Sequence, residues 1–415
     1  ARHAGPELTY LEGRCSSATE STPLYPLLAV VREMCGIADS DRPDTLRQRV
    51  AATCREIGVG DPEAASILGR LLTSEPTAQP ADPGHAKRRF VEVIRQLLVA
   101  KSLTARPLLV AIEDLHWMDS TTEECLASLV ETLAAEPVLL LTTYRPGYRP
   151  PWTQRSNLTQ LTLPPLSAEE SRDVVQGLVP PGTVSDDVVE QILARGDGNP
   201  FFLEELSRAT LDKTDGRPLS HVPATIQEAI ALRIGRLRPR ARQILGPAAV
   251  LGRDVPLHLL CAVGQFSPTT VEEALEELED ADLVHRVLRR SVEPWCIFRH
   301  ALVHEVAYAR LRADERRTLH LRALDSIEQT FRDTSSEHVE ALAHHAIAAD
   351  AADRAVVYLF QAAQKARTRS ASGAELSHLN QALALLRTLP EGLARDRQEL
   401  ALHTAMGQNL LATKG

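Results

Sequence analysis

Long apolar runs are missing from this sequence. None approaches the length needed to cross a bilayer and no signal peptide is visible, so neither a membrane-spanning nor a secreted chain is expected. Cysteine is scarce and scattered: Cys15, Cys35, Cys54, Cys125, Cys261 and Cys296 contain no C-x-x-C pair. That spacing argues against a zinc site or a disulfide framework and suits a reducing, cytoplasmic setting. Aromatic residues make up only 4% of the chain, while Ala, Leu and Arg are abundant, a composition that leans towards helix. A basic excess is lacking as well, since 46 Lys and Arg face 55 Asp and Glu for a net charge of −9. A general nucleic-acid binder would carry a basic face, so direct nucleic-acid binding is not expected. What remains is an ordinary globular composition, 44% hydrophobic over 415 residues, which suggests two to four domains.

The stretch around which the chain is organised is Leu108–Asp119, LLVAIEDLHWMD. Its unbroken apolar run fits a strand buried on both faces, and Glu113 and Asp114 follow at its carboxyl end. In an open α/β sheet that end is the ligand-binding rim. Two adjacent acids there either hold a magnesium ion and orient a water, or simply cap the turn into the next helix. Leu8–Arg14 reads as an earlier strand, Pro137–Thr143 as a later one and Leu158–Leu163 as a shorter one, with helical patterns between them. Such alternation predicts a parallel sheet with crossover helices, with Leu108–Glu113 central and Leu158–Leu163 unpaired or displaced. Thr73–His85 is a Pro-rich linker or surface loop, Ser120–Glu123 has the form of a capping box, and Asp119 beside it reads as a helix cap rather than a ligand.

From Leu166 the texture becomes helical. Ser167–Glu170 is a second capping box, Gly196–Pro200 a turn, and Thr225–Glu228 a further cap. Val284–Leu288 and Trp295–Phe298 read as strands of a β-wing within a small helical domain. Beyond Arg317 the chain reads as Ala/Leu-rich helix pairs. Tyr358, Ala362, Leu376, Ala382 and Leu386 loosely match the packing positions of 34-residue tetratricopeptide repeats. The domains expected are 1–165, 166–215, 216–312 and 313–415.

Five signals occur in one order: I-E-D-L-H-W-M-D at 112–119, T-Y-R at 143–145, G-N-P at 198–200, F-R-H-A-L-V-H-E-V-A-Y at 298–308, and repeat-like helices thereafter. This order resembles the signal-transduction ATPases with numerous domains, the STAND class of P-loop NTPases. It is most similar to the ATPase-and-repeat portion attached to bacterial class III adenylate/guanylate cyclases, and less so to ATP-binding regulators with a LuxR-type DNA-binding domain. The resemblance implies a P-loop α/β core, a helical lid, a winged helix and tetratricopeptide-like repeats, with ATP and Mg²⁺ as ligands. It implies Glu113 as the metal-coordinating acid and Asp114 as the acid that positions the attacking water. Arg145 matches the sensor that reads the γ-phosphate, a task suited to a guanidinium that is always charged and donates in a fork. An arginine lying along the end of a strand would read the same way. Pro200 matches the turn that packs on adenine, Gly198 relieves the backbone before it, and His300 faces the nucleotide or serves as a hydrogen-bonded structural residue. The implied partners are ATP/ADP, an attached cyclase or other effector, and proteins bound by the terminal repeats.

One family element is absent. No G-x-x-x-x-G-K-[ST] occurs, so the backbone N–H groups and lysine that cradle phosphates are not supplied. The chain opens on Ala1 rather than Met, and it is expected to be a fragment holding half an ATP site, weak or inactive in ATP binding by itself. Among rival readings, His300 and His304 have the i,i+4 spacing of metal ligands but lack a third ligand, and the adjacent His344 and His345 point to different helix faces. The acid-rich helix Val271–Asp282 carries no Lys or Arg and would be repelled by DNA. A passive helical-repeat scaffold is the remaining alternative.

Overall fold

The computed structural model describes all residues except 1–7, 17–18, 39–40, 62, 74–82, 105–106, 154–156, 212–221, 290–292 and 415. The chain begins with β1 (Thr9–Arg14), α1 (Tyr25–Met34), α2 (Pro43–Glu56), α3 (Ala64–Thr73), α4 (Pro83–Thr104), β2 (Leu108–Glu113), α5 (Ser120–Thr132) and β3 (Val138–Thr142). Next come α6 (Ala168–Leu178), α7 (Asp186–Gly196), α8 (Pro200–Leu211), α9 (Ile226–Arg236), α10 (Pro239–Leu251), β4 (Asp254–Pro256), α11 (Leu257–Gly264) and α12 (Pro268–Asp280). The remaining elements are β5 (Val284–Arg289), β6 (Glu293–Phe298), α13 (Ala301–Ala309), α14 (Ala313–Thr330), α15 (Val339–Ala348), α16 (Ala352–Thr368), α17 (Ser372–Leu386) and α18 (Leu393–Lys414). They form two compact units, one of residues 1–158 with 324–415 and the other of residues 159–323. No helix among the described residues is long and apolar enough to cross a membrane.

In the first unit the strands are parallel in the order β1-β2-β3, with the apolar strand in the middle, as its composition requires. Leu108, Val110, Ala111 and Ile112 are all buried because neighbours cover both faces of β2. Helices α1, α4 and α5 contribute to the same core. β3 alternates instead: Leu139 and Leu141 remain 65% and 49% exposed, so its outer face is uncovered. Leu158–Leu163 lies outside the sheet, as expected, although its composition reads as a strand and it forms none. Leu161 and Leu163 lie 82% and 90% exposed, and a strand without a ladder leaves its peptide groups to water. The helix after β2 is capped by Asp119, which accepts from Thr122 N–H, so Ser120 is its first residue rather than its cap. Most of the linker read over Thr73–His85 lies outside the described residues, and α4 already begins at Pro83.

Helices α15–α18 belong to this same unit, and polar contacts tie them to the α/β core. Arg369, buried in the α16–α17 turn, donates to the carbonyls of Pro23 (2.9 Å) and Leu71 (3.2 Å). His378 Nε2 donates to Ser21 O at 3.1 Å, and Arg32 pairs with Glu337. Beneath them Lys365 Nζ lies 2.7 Å from the Glu340 carboxylate, both side chains almost fully buried. The rings of His344 and His345 lie 5.3 Å apart, edge to face, so the adjacent pair does not diverge as helix geometry alone suggests.

The second unit joins α6–α8 to a group of helices around an antiparallel sheet of order β4-β6-β5. Both strands expected at 284–288 and 295–298 are present as β5 and β6, pairing Val284 with Phe298. The Ser167–Glu170 capping box forms in both directions. The acids of α12 and its end are matched by arginines of neighbouring segments: Arg286 to Glu279 (2.6 Å), Arg299 to Asp282 (2.6 Å) and Arg208 to Asp282. Local charge balance therefore accounts for Glu279 and Asp282 of that row.

Candidate functional site

The register of the parallel sheet builds the acid end of the site. β1 and β2 pair Arg14 directly with Glu113, and Arg14 Nε donates to Glu113 Oε2 at 2.9 Å. A guanidinium thus already neutralises the carboxylate expected to hold a metal, and a divalent cation there would compete with Arg14. Arg14 was not singled out by motif, yet its position at the end of the first strand, once that strand is paired, is enough to find it.

Asp114 follows in the left-handed region, with φ 60°, a conformation that short polar side chains tolerate better than most. Its N–H donates to Thr143 Oγ1 at 3.1 Å, while Leu115 N–H donates to Thr143 O at 2.9 Å. Thr143 N–H in turn donates to Ile112 O at 3.1 Å. Thr143 therefore clamps the acid-bearing turn to the end of β3, a role the motif reading did not assign to it. Arg145 lies two residues on and is exposed, and no side-chain hydrogen bond or ion pair of Arg145 is present among the described residues.

His116 sits in the short helical turn after Asp114 with its ring 5.3 Å from that of Trp117. Both ring nitrogens are buried without a hydrogen-bond partner among the described residues. Burial is the main reason its pKa is lowered; the positive charge of Arg145 adds to this and Asp114 opposes it. Burial likewise raises the Asp119 carboxyl, against the hydrogen bonds from Thr122.

In the second unit the turn before α8 brings the other three candidates into order. Gly198 has φ +67°, and a Cβ there would lie 2.5 Å from Leu166 O. Asn199 Oδ1 accepts from Phe201 N–H at 3.1 Å, and Pro200 opens α8, where its missing donor costs nothing. Phe201 then stacks on His300, ring centroids 3.9 Å apart and nearly parallel. His300 is the cap of α13 rather than a residue within it, its Nδ1 accepting from Leu302 N–H at 3.1 Å. His304 donates from Nε2 to Ala249 O at 2.9 Å, so one nitrogen of each of His300 and His304 is engaged within the fold. Pro200 and His300 are thus linked through Phe201, which sequence patterns did not mark. The Gly198→Ala variant should lose at least about 1–3 kcal/mol of stability through the left-handed backbone alone, measured by urea unfolding. An unchanged midpoint would show that the turn readily rearranges.

Residues 1–141 match the AAA ATPase domain family. An uncharacterized protein of Rhizobium meliloti (strain 1021) is 28% identical over 418 residues, covering 97% of this chain and 40% of that protein. The chain therefore spans about two fifths of the length of this relative. Among solved structures, a STAND protein with a tetratricopeptide repeat sensor from Pyrococcus horikoshii aligns over 98% of this chain and 62% of its own, at 11% identity and a TM-score of 0.45. RuvB of Thermotoga maritima aligns over 62% of this chain and 94% of its own, at 17% identity and a TM-score of 0.24.

Proposed function

We propose that the chain is the acid-bearing part of a signal-transduction ATPase module of the STAND type, a nucleotide-dependent switch for an attached effector. The observation that carries this reading is the Glu113–Asp114 pair at the carboxyl end of the central strand, clamped to Thr143 with Arg145 just beyond. The match of residues 1–141 to the AAA ATPase domain supports it. In this reading Glu113 would hold Mg²⁺ in place of its pairing with Arg14, Asp114 would orient a water, and Arg145 would donate to the γ-phosphate. Pro200, set in place by Gly198, packs on the base, and His300 faces the nucleotide. The magnesium ion, when bound, would supply charge neutralisation at the phosphates.

Such a site also requires a phosphate loop, which this sequence does not contain. The open face of β3, with Leu139 and Leu141 exposed, is a suitable place for its strand and helix to pack. In this reading α6–α8 form the lid, α9–α13 a winged helix, and α14–α18 tetratricopeptide-like repeats that bind protein partners in the cytoplasm. The effector is a class III nucleotide cyclase, or alternatively a LuxR-type DNA-binding domain.

The test is nucleotide binding by the chain extended upstream of Ala1 through a phosphate loop. Fluorescent ATP should bind only to the extended form and only fully with magnesium. Arg145→Ala should weaken ATP by about ten- to a hundredfold and ADP much less, because a charge-assisted bond is worth roughly 1.5–3 kcal/mol. Equal losses for both nucleotides would remove the sensor role. No binding by the extended form would overturn the ATPase reading and favour the scaffold.

A further inference from the structure

A cavity within the first unit is lined by neither Glu113 nor Asp114. It encloses about 270 Å³ between α3, the start of α4, α5 and the α16–α17 turn. Its floor is apolar, made by Leu24, Ile67, Leu71 and Phe90. Its lining is basic: Arg70, Lys87 and Arg89 stand at the rim and Arg369 is buried deeper, against Glu63 alone as an acid in the lining. Lys87 is held 2.6 Å from Glu124, and Arg89 lies 2.8 Å from Asp61 and 3.4 Å from Glu63. These pairs fix the two cations at the cavity, and the Lys87–Glu124 pair, whose acid is largely exposed, is weak enough for a ligand to share. Arg70 is exposed and has no ion-pair partner among the described residues.

Each alternative class of occupant fails on one of these features. A metal ion would meet a lining of its own sign. A nucleotide needs more room, since pockets for drug-sized ligands measure roughly 300–1,000 Å³. Inorganic phosphate would satisfy the rim but would lose its hydration over an apolar floor that returns nothing. A carboxylate carried on a small apolar body satisfies both halves.

We propose that this cavity binds a small organic anion, a carboxylate on an apolar group about the size of one aromatic ring. The carboxylate meets Arg70 and its basic neighbours, and the ring lies over Ile67, Leu71 and Phe90. The α16–α17 turn supplies one wall, so the bound molecule bridges the α/β core and the C-terminal helices. Arg369 in that turn also holds the carbonyl of Pro23, so occupancy braces the contact between these two parts. The proposal is independent of nucleotide chemistry.

The test is isothermal titration of the full chain with sodium phenylacetate, phenylacetamide and inorganic phosphate. Phenylacetate should bind saturably with a single site and raise the Tm, because a ligand that binds only the folded state stabilises it. Phenylacetamide should bind about tenfold or more weaker for want of the charge, and phosphate weaker still. Arg70→Gln, an exposed change, should cost about tenfold in phenylacetate affinity with no change in the Tm of the free chain. Ile67→Trp should fill the cavity and abolish binding. No saturable heat at roughly millimolar phenylacetate would overturn the proposal. So would equal binding of acid and amide, phosphate binding as tight as phenylacetate, or an Arg70→Gln variant that binds normally.

Discussion

In the chain extended through a phosphate loop, Asp114→Asn should slow ATP hydrolysis by about 10²–10⁴-fold, the usual contribution of a positioned general base. ATP binding should stay nearly unchanged, since only the water-orienting charge is removed. The substitution suits this position for a conformational reason. Asp114 has φ 60°, and Asn adopts that region about as readily as Asp, so the turn and its N–H bond to Thr143 survive. Asp114→Ala would add backbone strain and confuse the two effects. Phosphate release and nucleotide binding measured on one preparation separate chemistry from folding. Hydrolysis at the wild-type rate would make the acid a structural cap.

Glu340→Leu should destabilise the first unit by about 3–5 kcal/mol, because it strands the ammonium of Lys365 in a buried site. The pair is 2.7 Å apart with side chains 4% and 6% exposed, and Lys365 also donates to Glu337 O at 2.7 Å. Adding Lys365→Met should recover most of the loss, since two packed apolar side chains need no desolvated charge. If the double variant were as unstable as Glu340→Leu, the pair would be holding the helices by more than charge balance.

The same lysine gives a pH dependence of definite sign. Burial lowers its pKa from the ordinary value to about 8, against the pull of Glu340. Between that value and the normal lysine range the unfolded chain binds more protons than the folded one, so its contribution to stability rises with pH across this window. Urea unfolding at pH values on either side of the window should show this rise in the wild type. In Lys365→Met the slope should be smaller; an identical slope would assign it to other groups.

The sequence by itself determined the kind of each main element. Leu108–Ile112 had to be the middle strand because every position is apolar, and only a strand covered on both faces removes all of them from water. The signals at Asp119, Ser167 and Thr225 are local too, since a cap and its N–H groups lie within one turn. Periodicity is silent about partners. Leu158–Leu163 has the composition of a strand but forms none, as strand structure depends on a ladder that its residues do not specify. Arg14 beside Glu113 follows only from register, and Phe201 on His300 only from the meeting of two helix starts. Arg369 holding Pro23, and His378 holding Ser21, join segments about 350 residues apart. Tertiary structure alone decided these contacts, because a buried polar group must find a partner wherever packing places one.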